Sequence, residues 1–229
     1  TSCYRTNPMG YKWPDNWDEK PQLLRVDGHM AHFADGSSKH IDAVILCTGY
    51  KHHFPFLPEE LRLKTDNRLW PLNLYKGVFW EENPALIYLG MQDQWYSFNM
   101  FDAQAWYARD VILGRIPLPS PEAMHAEDMA WREEELTLET AQEMFEFQGK
   151  YIGQLIEATD YPSFDIAAVN KTFLEWKNDK YEDIMGYRNK CYASLMTGTM
   201  ATPHHTSWLD ALDDSLEAYL NEPADQEHA

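Results

Sequence analysis

The chain has 229 residues, enough for one large domain or parts of two, and its 44% hydrophobic share can fill a sizeable core. A formal charge of −18 excludes nucleic acid and anionic membrane surfaces as general partners, although one Arg with backbone amides can still hold a phosphate. No apolar run reaches the roughly 20 residues that span a bilayer, and the three cysteines lie far apart without CxxC spacing, which fits a reducing cytoplasm better than a disulfide framework.

In chain order, Thr1–Thr6 has neither an initiator Met nor a helix cap and reads as a chain joined midway. Residues 1–20 read as loop, with Pro8, Gly10, Pro14 and an aromatic cluster of Tyr11, Trp13 and Trp17. Leu23–Val26 and His29–Phe33 flank Asp27-Gly28, a hairpin signal, and Asp35-Gly36 turns the chain again. Ala43–Cys47 is a continuous apolar run ending in Thr48-Gly49-Tyr50, the pattern of a buried parallel strand. Residues 51–84 carry prolines and no clear period, and read mostly as loop. Leu86–Gly90 reads as a second short apolar strand.

The pattern then becomes helical. Asn99–Leu113 places Phe101, Ala105, Ala108 and Ile112 on one face, and Gly114 closes it. Ser120-Pro121 opens a helix to about Glu135, with Ser as N-cap and Pro in the first turn. Further helices are expected over Thr137–Ala158, 164–179, 181–196 and Trp208–Leu220, with a frayed polar tail from Glu222. Two strands that end in glycine, followed by a helix, suggest the closing part of a dinucleotide-binding sheet, where ligands gather at strand carboxyl ends. No GxGxxG loop is present, so a pyrophosphate loop would lie elsewhere.

Most other constellations have bland readings. The adjacent pairs His52-His53 and His204-His205 make poor bidentate metal sites, and no metal is expected. Glu133-Glu134-Glu135 reads as a solvated face, and Cys47 as a small buried hydrophobe. The segment from Gly90 to Asn99 differs, because it packs polar and aromatic residues between a strand end and a helix start. Free N–H groups at that start would favour negative charge such as develops on a reduced flavin.

Thr48-Gly49-Tyr50, Gly90-Met91-Gln92 and Asp102-Ala103-Gln104-Ala105-Trp106 together resemble the flavin-containing monooxygenases. A closer likeness is to the bacterial branch acting on trimethylamine. It is carried by Cys3–Thr6, Met9–Pro14, Tyr161–Asp165, Thr172–Trp176 and Leu195–Met200, and it spans nearly the whole chain. The resemblance implies an α/β fold: the C-terminal part of a flavoprotein with Rossmann-like FAD and NADP domains, strands in its first half and a helical C-terminal region. Residues 1–45 would end the NADP-binding domain, 46–115 belong to the FAD-binding domain, and 116–229 form a helical extension or interface. The family's two glycine-rich loops are missing, so the N-terminal half carrying them is expected as a separate chain in the same particle. A homodimer of the complete enzyme is expected as well.

The implied reaction uses FAD and NADPH/NADP⁺ to N-oxygenate small tertiary amines, trimethylamine to its N-oxide, through a C4a-hydroperoxyflavin. Arg5 and Thr6 occupy the place of the family's 2′-phosphate contacts, and a guanidinium suits that group. Thr48, Gln92, Gln94 and Ser97 are expected to contact FAD, since amides both donate and accept along a ring edge. Asp93, Trp95 and Trp176 are expected to form the substrate site. Asp93 would attract the ammonium and manage its proton, while the indoles would accommodate methyl groups and cationic charge. Baeyer–Villiger or sulfide oxidation on the same scaffold, and a noncatalytic helical interaction subunit, are the alternatives.

Overall fold

The computed structural model describes residues 1–49, 51–64 and 68–200. Among the described residues, short strands occupy the first part and four α-helices the second, a mixed α/β arrangement. Strand β1 (Ser2–Cys3) pairs in parallel with β2 (Glu19–Lys20) inside the segment expected to be loop. The connection is pinned by the stacked rings of Trp13 and Trp17, 4.9 Å apart, and by the Glu19 carboxylate, which accepts from the Met9 and Gly10 N–H groups.

The expected hairpin is present. Strands β3 (Leu23–Asp27), β4 (Met30–Phe33) and β5 (Ser38–His40) form an antiparallel meander turning at Gly28 and Gly36, with Ala31 and Phe33 facing inward. The buried parallel strand over Ala43–Cys47 is not. That segment pairs with no strand among the described residues, Ile45 and Leu46 are 86% and 79% exposed, and Cys47 is exposed rather than buried. A parallel strand is stable only between neighbouring strands with both faces covered, and none of the described residues supplies that cover.

Segment 51–84 is more ordered than expected. It holds a 3-10 turn at Glu59–Leu61 and a hairpin of β6 (Leu74–Tyr75) with β7 (Phe79–Trp80). Leu86–Gly90 forms no separate strand and instead runs along β7: the Trp80 N–H donates to Leu86 C=O at 3.0 Å and the Tyr88 N–H to Val78 C=O at 2.9 Å.

Helix α1 is Phe98–Ile112, α2 Pro121–Glu135, α3 Ala141–Glu157 and α4 Ile166–Glu182. Their starts follow from local chemistry. Ser120 Oγ accepts from the Ala123 N–H, and Asp165 Oδ1 from the Ala168 N–H. Thr140 and Glu143 form a reciprocal capping box. Helices α1 and α3 pack around Met100, Ala103, Tyr151, Ile152 and Leu155. The helix expected over 181–196 is absent: α4 runs to Glu182, then the Asp183 carboxylate accepts from the Gly186 N–H at 2.8 Å and only a 3-10 turn at Tyr187–Asn189 follows. The expected Trp208–Leu220 helix and the His204-His205 pair lie outside the described residues. The acidic run 133–135 is not uniformly solvated. Glu135 is buried, accepts from the Leu69 N–H at 3.1 Å and pairs with Arg68 and Arg132.

Asp128 ties α2 to the β6–β7 region by accepting from the Trp70 indole at 2.7 Å and the Asn73 N–H at 2.9 Å. Burial pushes its carboxyl up to about 7 against those two donors, helped by the neighbouring Glu81 carboxylate. A carboxyl whose folded pKa lies above its unfolded value stabilises the fold below about pH 4, and that stabilisation is lost as pH climbs through about 7. Stability is therefore expected to fall by on the order of 2–4 kcal/mol across that window, with a shallower decline in Glu81→Gln. Urea unfolding at stepped pH measures both slopes. Identical slopes would remove Glu81 from the account.

Candidate functional site

The segment Gly90–Ser97 joins the strand-like run to α1, and two buried polar systems shape it. At its start, the Gly90 N–H donates to Gln104 Oε1 at 2.8 Å, and Gln104 Nε2 donates to Gln92 Oε1 at 2.9 Å and to the Tyr151 hydroxyl at 2.8 Å. Tyr151 in turn donates to the Lys76 carbonyl at 2.7 Å. Burial raises the Tyr151 phenol, which keeps it a neutral donor. The network needs two glycines. A Cβ on Gly77, in the β6–β7 turn at φ 63°, would lie 2.0 Å from Gln92 Nε2, and one on Gly90, at φ 71°, would lie 2.4 Å from the Phe101 ring.

Further along, Gln148 of α3, 1% exposed, spans the turn. Its Nε2 donates to the Asp93 carbonyl, and its Oε1 accepts from the Trp95 N–H at 2.8 Å. The Asp93 N–H donates to the Arg68 carbonyl at 2.6 Å, which leaves the Asp93 carboxylate pointing to solvent from a fixed backbone. The Trp95 ring meets Phe145 edge-on at 4.9 Å and Trp176 of α4 at 6.2 Å. On Trp176, the Lys180 ammonium sits 5.4 Å from the ring centroid and 5.3 Å from that of Tyr11, so these rings already accept a cation.

The end of the turn leaves groups uncommitted. Gln94 Oε1 is buried without a hydrogen-bond partner. Ser97 takes φ 44°, ψ −113° and gives α1 no side-chain cap, and the first turn carries no acidic residue. The first α1 amides are largely committed, Asn99 to the Tyr96 carbonyl at 3.2 Å and Met100 to that of Ser97 at 3.1 Å, so the buried free acceptor of Gln94 is the group that suits the edge of a flat heteroaromatic ring.

Asp93, Gln94, Trp95 and Ser97 thus share one turn, and Trp176 of α4 meets the Trp95 ring. Gln92 is different: it is 4% exposed, with its amide engaged inside the molecule by Gln104 and Tyr151. Arg5 and Thr6 lie exposed after β1, and Thr48 lies exposed in the unpaired segment after β5; none of the three hydrogen-bonds to Gly90–Ser97. Gln104, Gln148 and Tyr151 are the supports that sequence reasoning missed. Gln104 stood in the motif that carries the resemblance without a role of its own, and Gln148 and Tyr151 show only as polar residues at helical positions, which does not say what they hold.

Residues 18–166 match the flavin-binding monooxygenase-like family. The chain is 57% identical over 223 residues to trimethylamine monooxygenase of Methylocella silvestris, covering 97% of this chain and 49% of that protein. It is 58% identical to the trimethylamine monooxygenase of Roseovarius nubinhibens, over 96% of this chain and 49% of the relative. The crystal structure of Tmm from a Pelagibacter species superposes with a TM-score of 0.85 at 50% identity, covering 95% of this chain and 49% of that one. S-allyl-L-cysteine S-oxygenase from Allium sativum shares the fold, with a TM-score of 0.63 at 24% identity over 81% of this chain and 44% of that one. The chain spans about half the length of the curated relatives it matches. It belongs to the flavin-binding monooxygenase-like family.

Proposed function

We propose that this chain forms the substrate-binding half of an FAD- and NADPH-dependent monooxygenase that N-oxygenates small tertiary amines, trimethylamine foremost. The observation that carries this reading is an exposed Asp93 two residues before Trp95, whose ring meets Trp176, on one held turn. A tertiary amine is mostly protonated in neutral water, and only its free base is nucleophilic. Asp93 attracts the ammonium and helps its proton leave to solvent, while the indole faces accommodate the methyl groups. Bound FAD, reduced by NADPH, supplies the activated oxygen. The Gln94 amide and the Ser97 backbone would hold the flavin edge, with Thr48 contributing to the binding of the same cofactor. Gln92 acts on it through the shape of the loop. Arg5 and Thr6 bind the 2′-phosphate of NADPH.

The glycine-rich nucleotide loops belong to the half of the enzyme that these residues do not span. Val44, Ile45 and Leu46 form the exposed apolar segment that the sheet of that half covers, and residues 1–45, 46–115 and 116–229 serve the NADP side, the FAD side and a helical interface of a homodimer. Co-expression with the first half of a trimethylamine monooxygenase tests this pairing. The expected product is a yellow complex with one copy of each chain and one flavin. Colourless chains that separate on a sizing column would contradict it.

A further inference from the structure

We infer that Gln148, on α3 and outside the substrate site, is the positioning residue that sets the Asp93–Trp95 turn for amine recognition. Its side chain holds both sides of Gln94 at once, donating to the Asp93 carbonyl and accepting from the Trp95 N–H at 2.8 Å. An amide matches this pair of backbone groups as a neighbouring strand would, with one donor and one acceptor in a plane. Phe145, one helical turn earlier on α3, holds the Trp95 ring edge-on at 4.9 Å. One face of α3 therefore fixes the Trp95 backbone and its ring together. The Gln104–Tyr151 network acts elsewhere, at Gly90 and Gln92, and does not reach Asp93. With Gln148 removed, the Asp93 and Trp95 backbone groups lose their buried partner. The peptides on either side of Gln94 can then rotate, and the directions in which Asp93 and Trp95 present their side chains are no longer fixed.

This inference rests on the amine-oxygenating reading, so its test has one arm that does not involve amine. In the complete two-half enzyme, Gln148→Leu is expected to speed hydrogen exchange at the Trp95 amide by about tenfold or more, the effect of losing one buried bond. It is also expected to raise the KM for trimethylamine about tenfold with a much smaller change in kcat. Gln148→Glu supplies a readout that loose packing would not move, and it covers the case in which the leucine variant fails to fold. Protonated, the introduced carboxyl accepts from Trp95 and donates to Asp93 as the amide does. Ionised, it sets a bare oxygen against the Asp93 carbonyl. Its KM relative to wild type is expected to approach one at low pH and to rise as pH climbs, with exchange at Trp95 following the same curve. A pH-independent ratio, or Trp95 exchange unchanged in both variants, overturns the role of Gln148. A wild-type enzyme that ignores amines removes the substrate reading, while the exchange arm still decides the positioning.

Discussion

Trp70→Ala is expected to cost about 4 kcal/mol of stability, within the range for a buried aromatic truncated to a methyl. Trp70 is 1% exposed and stacks on Trp131 at 4.9 Å and 14°, with Tyr151 edge-on at 5.3 Å and Phe147 at 6.4 Å. Its indole N–H also donates to the buried Asp128 at 2.7 Å. Truncation thus opens a cavity among three rings and strips a donor from a buried carboxyl, two costs that add. Net stabilities of only about 5–15 kcal/mol make such a loss large. Trp70→Phe keeps most of the ring packing and loses the donor, so about half the effect is expected. Urea midpoints of the purified protein measure both, and a loss under about 1 kcal/mol for alanine would show that the site collapses without penalty.

The second large effect concerns chemistry. Asp93→Ala is expected to lower kcat/KM for trimethylamine by at least about a hundredfold, the scale of a lost acid–base group, while the protein keeps its flavin. Asp93→Asn retains the shape and a hydrogen-bonding tip but no charge, and is expected to lose nearly as much. Similar kcat/KM in the asparagine variant would mean that shape, rather than charge, is what Asp93 contributes. The experiment is informative because the Asp93 backbone is held on both sides, by Arg68 and by Gln148, so the substitution changes the side chain with little else.

Helices α1 and α2 were legible because their signals are local: Ser120-Pro121 and apolar residues at helical spacing mark them, while α3, expected from Thr137, starts only after the Thr140–Glu143 capping box. The β6–β7 hairpin was not, because Leu74, Tyr75, Phe79 and Trp80 are all buried and show no alternation, and its turn rests on Lys76 at φ 54° before Gly77. Ala43–Cys47 has a strand's composition, yet its structure depends on neighbours that local sequence does not contain. Residues 181–196 kept a helical pattern past the point where Asp183 turns the chain. The site divides the same way. Asp93, Gln94, Trp95 and Ser97 are neighbours in sequence, and Trp176 meets the Trp95 ring from α4. What fixes the turn was hidden, since the contacts of Gln148 and Gln104 run across about 50 and 12 positions of chain.

The most direct measurement is NADPH consumption by the complete enzyme in air, with trimethylamine added and the N-oxide counted. Amine-dependent oxidation that yields one N-oxide per NADPH is the expected result. Flavin reduction by NADPH that no methylamine accelerates, with turnover of ketones or sulfides instead, would contradict it.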